Sequence, residues 1–595
     1  MKFNLIKRLI DSQKQIKERI GVPNTVLLLS FFTGVLGATV AIILKNLLHF
    51  TSGILYKAFP EAQMNYLYLA FPLVGILLTL VFVKKVVKDD LSHGVSIALR
   101  KMFSSGGKLR VHHTYSSMIA SSLTVGFGGS VGLEAPIVLT GSAVGSNLAR
   151  LFELSPKNTR LLLACGATAA LSTIFKAPIA GIVFAIEVLM LDFTATALLP
   201  LLISAATGTV LSILFLGADV MISLPHVSSF HLQNIPYYLI LGVLAGFVSV
   251  YFMRTMRSVE KTIKKISNIW VRAVLGGILL GGFIFLFPVF YGEGYEYINA
   301  LVNGSSGMQL FERSPLYGFM NHYLFFIIVF IFLILFKVIA SAITTASGGV
   351  GGVFAPSLFA GAFLGFFLSE ICNHFIPVSL PTVNFVLAGM SGVMTGVMFA
   401  PLTGIFLIAE MTTGYELLIP LMITSSISYI VAGRFEKHSV YTYPLADEGC
   451  LKTHNKDQFA IQALDWKPLM DKNIQTISIH ATLRDYTQCI AHSKRNLFVV
   501  LDDDHLFAGL LVMDDHRDII FKTELYDTVK IEELMIHPEL FIYDTDSGEE
   551  VIRKFNKTQN FNMPVITINR EYLGFLSKAK VLDEYRDTIV EESDN

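Results

Sequence analysis

The sequence predicts a polytopic α-helical membrane protein with an internal repeat and broken helices, followed by a soluble α/β region. Three observations predict this fold class. The chain of 595 residues is 53% hydrophobic and only 15% charged, and its mean hydropathy is +0.58, which is typical of chains with several membrane spans. Two Gly-rich and Pro-containing motifs each occur twice in the apolar part. After Arg434 the apolar runs shorten and charged residues become frequent.

The first segment, residues 1–22, is rich in Lys and Arg and lacks the apolar core of a cleavable signal. We expect it to form a basic amphipathic helix on the membrane surface, and the positive-inside rule places it in the cytoplasm. The formal net charge of the whole chain is zero, so nothing in the composition suggests a nucleic-acid partner.

Two membrane repeats are expected next, at residues 23–220 and 230–445. Their apolar runs mix full spans, such as Val26–Leu44, with shorter pieces broken by Gly and Pro, such as Ala177–Ile186. Irregular backbone at membrane depth is tolerated only where protein or a polar cavity surrounds it. The pattern therefore predicts discontinuous helices that meet around a central site.

The motif Gly-Leu-Glu-Ala-Pro at 132–136 places one carboxylate, Glu134, inside a Gly-rich break between apolar segments. Pro136 suits the first turn of a helix, whose free N–H groups attract anions. A carboxylate at membrane depth is costly and suggests a function. We interpret Glu134 as a gate that competes with a permeating anion; the alternative is a small-residue helix-packing seam with an N-capping Glu.

A second copy of this motif, Gly-Val-Phe-Ala-Pro at 352–356, favours the functional interpretation, with Phe354 in place of the Glu. Another pair has nearly the same offset: Ala-Pro at Pro178 and at Pro401, each with a Glu nine residues after the Pro. Two roles are open for Glu187 and Glu410: one is to carry protons, and the other is to close helix ends by hydrogen bonds. Because both copies keep them, we favour the structural role.

Other classes of protein fit the sequence less well. The four cysteines are scattered, without disulfide or metal spacing. A membrane-embedded metalloprotease with a regulatory tail would need His-Glu-x-x-His or an equivalent set, which the apolar half lacks. His112 and His113 lie in a polar loop where we expect no nearby carboxylate, so no metal site and no enzyme activity are predicted. A cation pathway would require acidic rings.

The tail is expected to begin with a linker at residues 446–463. Residues 464–527 and 528–595 then show the same order of helical stretch, strand, turn and strand, which predicts a tandem repeat of two small α/β domains. Because it contains no apolar span, we place this tail in the cytoplasm together with the N-terminus.

These motifs resemble the CLC family of chloride channels and proton/chloride antiporters. Residues 132–136 resemble its Gly-x-Glu-Gly-Pro motif, residues 352–356 fit Gly-x-Phe-x-Pro, and Ser-His-Gly-Val-Ser at 92–96 resembles Gly-Ser-Gly-x-Pro. The tail is similar to the tandem CBS domains of many members. The resemblance implies inverted repeats, a homodimer with one pore per subunit, and chloride or a similar small anion bound between helix N-termini, in a plasma or inner membrane.

The resemblance also implies roles for particular residues. Glu134 corresponds to the external gating glutamate. The backbone N–H groups of Val353 and Phe354 are expected to bind the central anion, and the hydroxyl of Tyr441 is expected to close the inner side of that site. The pore loops are expected to be shaped by the glycines and prolines of the two motifs: Gly132, Gly352, Pro136 and Pro356.

Departures from the family pattern bear on mechanism. His93 stands where the family serine donates a hydroxyl to the anion, so either its imidazole or only the local backbone N–H contributes. Val188 stands where coupled antiporters carry an internal proton-relaying glutamate. Since Val carries no proton, we favour an anion channel gated by Glu134; proton-coupled antiport is the alternative, because some antiporters lack that glutamate.

The tail retains part of a nucleotide-binding pattern. In CBS domains that bind nucleotides, an Asp six residues after a strand Gly contacts the ribose, and Asp515 stands in that position relative to Gly509. Ser577 keeps the hydroxyl of the second half, where Lys580 replaces the Asp. We expect no required cofactor and at most one adenine-nucleotide site; a purely structural role in dimerisation is the alternative.

Overall fold

The computed structural model describes residues 2–58, 66–104, 106–218, 222, 228–304, 310, 314–315, 323–412, 415–448, 464–558 and 560–594. The chain divides into two compact units, Met1–Leu451 and Lys452–Asn595. The expected linker at residues 446–463 lies mostly outside the described residues. The boundary between the two units falls inside it.

The first unit is helical. Its helices are α1 (Lys2–Ala58), α2 (Phe71–Phe82), α3 (Gly94–Ser104), α4 (Ser116–Gly126), α5 (Glu134–Leu151), α6 (Pro156–Phe175), α7 (Pro178–Glu187), α8 (Ala195–Leu216), α9 (Ile235–Lys264), α10 (Ile269–Leu286), α11 (Tyr295–Val302), α12 (Tyr323–Ala346), α13 (Phe354–Phe375), α14 (Thr382–Met398), α15 (Pro401–Met411), α16 (Leu418–Phe435) and α17 (Tyr443–Asp447). Within the described residues, eight helical segments are long and apolar enough to cross a membrane.

The N-terminal segment continues into the first span. Helix α1 is interrupted at Gly21, whose backbone is non-helical (φ 77°), and Pro23 follows this break. The segment expected at residues 1–22 is thus a helix joined to the span by a kink, as Gly and Pro together favour. The side chains that would make it amphipathic lie outside the described part of the chain.

The two halves of the membrane unit repeat the same helix order. Helices α5 and α6 pack tightly against each other, and α13 and α14 do the same. In both pairs glycine allows the backbones to touch: a Cβ on Gly141 would lie 2.3 Å from the carbonyl oxygen of Gly166, and one on Gly361 would lie 2.3 Å from that of Gly389. This small-residue packing is the way membrane helices approach closely, and it confirms the predicted internal repeat.

The short helices α7 and α15, too short to span a bilayer, cap each other. The carboxylate of Glu187, at the end of α7, accepts hydrogen bonds from the backbone N–H groups of Leu402 (3.0 Å) and Thr403 (2.8 Å) at the start of α15. Glu410 of α15 accepts from Ile179 (3.1 Å) and Ala180 (2.9 Å) at the start of α7. The predicted helix-closing role of both glutamates is confirmed, since the bonds satisfy free helix N–H groups.

The second unit contains two similar sheets. Its strands are β1 (Thr476–Ser478), β2 (Leu497–Leu501), β3 (Phe507–Val512), β4 (Ile542–Tyr543), β5 (Asn562–Ile566) and β6 (Tyr572–Ser577), and its helices are α18 (Leu483–His492), α19 (Ile531–Leu534), α20 (Gly548–Thr558) and α21 (Lys578–Asp594). The sheet orders are β1-β2-β3 and β4-β5-β6. In each sheet the first pair of strands is parallel and the second pair is antiparallel.

The two halves of the tail share a core. Buried side chains from both sheets, among them Val499 and Phe507 of the first and Ile566 and Phe575 of the second, form one apolar cluster. Each sheet also has a core of its own. Each sheet has an apolar face that its own half does not cover, and the other half buries it. The two halves are therefore expected to fold as one unit.

Candidate functional site

The two Gly-rich loops meet at the centre of the membrane unit. The backbone N–H of Gly132 donates to the carbonyl oxygen of Gly352 at 2.9 Å, and the N–H of Gly352 donates to that of Gly132 at 2.7 Å. This antiparallel bridge joins the residues just before α5 to those just before α13. The beginnings of two helices are therefore held side by side.

Matching threonines support the two loops. The backbone N–H of Val350 donates to Oγ1 of Thr124 on α4 at 3.0 Å, and the N–H of Ser130 donates to Oγ1 of Thr344 on α12 at 3.2 Å. Glycine is required at the bridge itself, because a Cβ on Gly132 would lie 1.9 Å from Oε2 of Glu134. Buried backbone groups thus find partners without closing the space between the helix ends.

Glu134 is the first residue of α5, and its side chain is buried, with the residue only 2% exposed. Its Oε1 accepts a hydrogen bond of 2.8 Å from the hydroxyl of Tyr295, the first residue of α11. Its Oε2 has no hydrogen-bond partner within the part of the chain that the structure describes. Burial of a carboxylate with one oxygen unpaired costs free energy. A gate needs a side chain that is held weakly enough to give up its position to an anion, and this carboxylate fits that requirement.

A second carboxylate, Glu293, reaches the same helix end. Its Oε1 accepts from the backbone N–H of Leu133 at 3.2 Å. Nearby, the fully buried Lys337 donates from Nζ to the carbonyl oxygen of Gly292 at 3.0 Å. The sequence interpretation missed both charged residues. The signal for Lys337 was available, since a lysine inside an apolar run is by default a functional candidate.

The start of α13 has no cap from its own N-cap residue, and the backbone N–H of Ala355 in its first turn interacts with the Glu134 carboxylate. Val353 is its N-cap residue and makes no side-chain capping bond, and Phe354 begins the helix. Phe354 is buried, and its ring stacks on that of Phe175 with centroids 5.4 Å apart. The side chain of Tyr441 is buried too, and its hydroxyl lacks a hydrogen-bond partner among the described residues. Free helix N–H groups and an unused hydroxyl donor are suited to an anion.

A cavity of about 560 Å³ connects this region to a strongly charged entrance. Ala135, Gly352, Val353 and Tyr441 line its inner end. Its outer end carries Lys and Arg side chains, which are Arg100, Lys101, Arg110, Arg257, Lys261 and Lys264. The cavity is also lined by carboxylates, which are Asp89, Asp90, Glu260, Asp447 and Glu448, so its entrance carries a small excess of positive charge. Such an excess favours anions over cations.

His93 lines the same cavity, just before α3. Its Nε2 lies 3.0 Å from Oε1 of Glu260 on α9, so this nitrogen is engaged by a carboxylate. Lys264 also contacts that oxygen, with Nζ at 2.6 Å. Ser96, which replaces the family proline, donates its hydroxyl to the carbonyl oxygen of Tyr441 at 2.9 Å. The partner Glu260 was missed, because it comes from the other half of the chain.

Comparison with known proteins identifies the family. A family model described as voltage gated chloride channel matches residues 74–433, well over half of the chain. The chain belongs to the CLC family. A CBS domain model matches residues 531–587, which confirms the expected character of the tail.

Similar proteins include a putative chloride channel protein ClcB-like of Ralstonia nicotianae, 30% identical over 334 residues that cover 55% of this chain and 73% of that protein. An H⁺/Cl⁻ exchange transporter ClcA of Yersinia pestis is 32% identical over 328 residues, covering 54% of this chain and 66% of that protein. Names of relatives thus include both a channel and an exchanger.

Solved structures share the fold. A slow cyanobacterial Cl⁻/H⁺ antiporter is 23% identical with a TM-score of 0.59, and the match covers 71% of this chain and 96% of that one. A eukaryotic CLC transporter is 18% identical with a TM-score of 0.59, and the match covers 94% of this chain and 98% of that one. These likenesses confirm the predicted fold class of a helical membrane domain followed by a CBS region.

Val188, where the sequence resemblance predicts the position of an internal proton relay, is the C-cap residue of α7 and is 4% exposed. The adjacent Glu187 is occupied by its bonds to α15. Neither residue lines the cavity. Helix α7 therefore brings no free carboxylate to the inner side of the CLC site.

The expectation that His112 and His113 have no nearby carboxylate was wrong. Oδ2 of Asp89 lies 3.0 Å from Nε2 of His112 and 3.8 Å from Nε2 of His113. The segment that carries Asp89 is distant in sequence, so no local pattern could reveal it. Arg110 contacts the same oxygen at 2.8 Å, and this cluster of charges ties the helix ends together at the edge of the CLC domain.

In the CBS region the two candidate nucleotide contacts occupy the ends of corresponding strands. Asp515 lies in a short 3₁₀ turn directly after β3, and Ser577 is the last residue of β6. Gly509 and Gly574 pair with Val500 and Val565 in equivalent registers of the two sheets.

Proposed function

We propose that the protein exchanges chloride for protons across a membrane, with Glu134 as the residue that meets both ions. The observation that carries this proposal is the buried Glu134 carboxylate at the bridge between α5 and α13, with one oxygen on Tyr295 and the other free. A carboxylate that takes up a proton loses its charge, and the helix N-terminus then no longer attracts it. Chloride and a proton then share one gate.

The anion itself would bind at the start of α13, beside the Glu134 carboxylate. The backbone N–H groups of Val353 and Phe354 and the hydroxyl of Tyr441 would replace its water shell, while Phe354 shapes the wall. Each pore loop would place a glycine and a proline at the same centre, Gly132 and Pro136 from one repeat and Gly352 and Pro356 from the other. None of these four residues carries a charge. Neutral donors favour an anion without holding it permanently.

Names of similar proteins support exchange. The Yersinia relative is named as an H⁺/Cl⁻ exchange transporter. A passive channel gated by Glu134, which the sequence favours, is the second candidate. Its specific support is Val188, which leaves α7 without a titratable relay, and the name of the Ralstonia relative, a putative chloride channel.

One experiment separates the two functions. The full chain is reconstituted in liposomes under a chloride gradient, the voltage is clamped with potassium and an ionophore, and the internal pH is followed. Proton movement against its own gradient, in fixed proportion to chloride, is the expected result. Chloride flux without proton movement would establish the channel, and absence of any chloride flux above that of protein-free liposomes would exclude both.

The charge distribution supports an orientation. Cytoplasmic segments of membrane proteins carry an excess of Lys and Arg. The basic entrance of the cavity and the basic N-terminal segment therefore suggest that both lie in the cytoplasm, as does the tail. We assign the protein to a plasma or inner membrane with both termini inside. Labelling of a single introduced cysteine at residue 264 or 2 from each side would test this.

Two further parts of the proposal concern assembly and regulation. We propose a homodimer with one pore per subunit, which is tested by the mass of the purified protein in detergent.

We also propose that no cofactor or metal is needed and that the tail holds at most one adenine nucleotide, near Asp515 and Ser577. Calorimetry of the full chain with ATP, repeated on Asp515→Ala, tests the nucleotide; no heat with either protein would leave the tail a structural role.

A further inference from the structure

Proton exchange needs a proton acceptor on the cytoplasmic side, and α7 offers none. We propose that His93 and Glu260, which meet inside the cavity, form that acceptor and pass protons toward Glu134. This inference rests on the proposed exchange of chloride for protons. It assigns the pair a role in proton transfer, which differs from the contact of His93 with the anion that the sequence predicts.

The two side chains are in contact and can be reached from water. Nε2 of His93 lies 3.0 Å from Oε1 of Glu260, and the side chains are 35% and 21% exposed. An imidazole is a side chain that can take up and return a proton, and a carboxylate is a hydrogen-bond partner for its N–H. The pair therefore has access to the proton source and the chemistry to exchange with it.

The pair also lies close to the gate. The residue after His93 is Gly94, where a Cβ would lie 2.6 Å from the carbonyl oxygen of Ala135, the neighbour of Glu134. His93 and Glu260 line the same cavity as Ala135, Val353 and Tyr441. A cavity of about 560 Å³ has room for a file of water molecules. The water file that the proposal requires would run from the pair to Ala135, the neighbour of Glu134, and needs no side chain at Val188.

The charges around the pair are mostly basic. Helix α9 supplies Lys264, which contacts Glu260 at 2.6 Å, and also Arg257 and Lys261; helix α3 supplies Lys101 and Arg100, the latter paired with Glu448. The acidic Asp90 and Asp447 line the same entrance. Basic neighbours draw chloride in, and among the carboxylates of this entrance Glu260 is the one that contacts His93.

The transfer balances without another reactant. A proton leaves a cytoplasmic hydronium ion as an N–H bond forms on His93, whose positive charge is offset by Glu260. It then returns to a cavity water as that N–H bond breaks. The last step breaks an O–H bond of a hydronium ion and forms one on the carboxylate of Glu134. Chloride leaves in the opposite direction, and no electron is transferred.

A merely structural role for Glu260 would be to fix the ring of His93. The two roles predict different results for the number of protons moved per chloride. A structural defect lowers both fluxes together, whereas loss of an acceptor lowers the proton flux selectively.

The test uses the full chain in liposomes, with chloride and pH recorded at the same time. For Glu260→Gln and His93→Ser we expect the ratio of protons to chloride to fall by at least about tenfold, a fraction of what a positioned proton carrier contributes. Glu260→Asp, which keeps a carboxylate, restores part of the ratio. Glu436→Gln is the matched control, because Glu436, like Glu260, pairs with basic side chains of α9 but does not line this cavity.

Each outcome bears on the inference. An unchanged ratio in both Glu260→Gln and His93→Ser would overturn the relay and leave the exchange proposal intact. Parallel loss of both fluxes, with normal elution of the purified variants, would show a positioning role only and would also overturn it. If the unmodified protein moves chloride without protons, the exchange proposal fails, and the relay fails with it.

Discussion

The hydroxyl of Tyr295 donates a 2.8 Å hydrogen bond to Oε1 of Glu134. Tyr295 begins α11 in the second repeat, and Glu134 begins α5 in the first. The gate of one half of the molecule is thus held in place by the other half. A sequence motif that ends at Pro136 contains no hint of this partner.

Removal of that donor should make the gate easier to displace. In Tyr295→Phe we expect chloride to compete better with the carboxylate, so that its half-saturating concentration falls by roughly 10- to 100-fold, since a hydrogen bond to a charged group contributes roughly 1.5–3 kcal/mol. Chloride flux is measured at several concentrations. Tyr251→Phe is the control, because it loses a comparable bond, to the carbonyl oxygen of Leu335 at 3.0 Å. Equal effects of the two variants would argue against the gate contact.

The gate itself is tested by Glu134→Gln, which removes the charge and keeps the shape. We expect chloride flux to persist or rise and to lose its dependence on pH, because the competing carboxylate no longer titrates. Flux is recorded between acidic and alkaline pH. Glu296→Gln, which changes an exposed carboxylate directly after Tyr295 on α11, should leave the pH dependence as it is. Loss of all flux in a folded Glu134→Gln protein would contradict the gating role.

Tyr441→Phe probes the anion site. The Tyr441 hydroxyl is buried without a partner among the described residues, so we expect it to donate to the anion, and its loss should weaken chloride binding by roughly 1–3 kcal/mol. Calorimetry with chloride measures this. The control is Tyr486→Phe, a buried tyrosine of the CBS region whose hydroxyl is also without a partner there. Unchanged chloride affinity in Tyr441→Phe would remove this hydroxyl from the site.

The histidine cluster predicts a dependence of stability on pH. Burial lowers the pKa of His113 to about 4, with further lowering by His112 and opposition from Asp89. The unfolded chain, with an ordinary histidine, binds the proton first as the pH falls. Stability is therefore full above about pH 6.5 and falls between about pH 6.5 and 4, by at most about 3 kcal/mol. For Asp89, burial raises the pKa, but the N–H of Asp90 and the charge of Arg110 lower it more, so its own contribution is lost only at still lower pH.

His113→Gln removes the titrating group. We expect the fall in melting temperature between pH 7 and pH 5 to become smaller than in the unmodified protein, whatever the change at pH 7 itself. The exposed His480 of the tail, 63% exposed in its side chain, supplies the control His480→Gln. A pH dependence that survives in His113→Gln would place its origin elsewhere.

Much of the fold follows from local sequence signals. Gly132 and Gly352 stand in repeated motifs, and the repeat itself predicts that equivalent loops meet, as they do. The capping by Glu187 and Glu410 follows from their symmetry. The roles of Glu134, Val353, Phe354 and Tyr441 in transport stay predictions.

What the sequence could not supply are contacts between elements far apart in the chain. Glu293, Glu260 and Asp89 are ordinary acidic residues in their local segments, and only the packed helices bring them to Leu133, His93 and His112. The error about His112 and His113 has this origin. Single-sequence patterns report periodicity and turns, whereas pairing of charges depends on tertiary structure.

The mutual capping of α7 and α15 makes each repeat depend on the other. A chain made of one repeat alone would leave the carboxylate at the end of its short helix without N–H donors, and the start of that helix without an acceptor. Two identical copies would satisfy both needs, because each supplies what the other lacks. In the present chain neither short helix has its end groups paired until both repeats are folded and in contact.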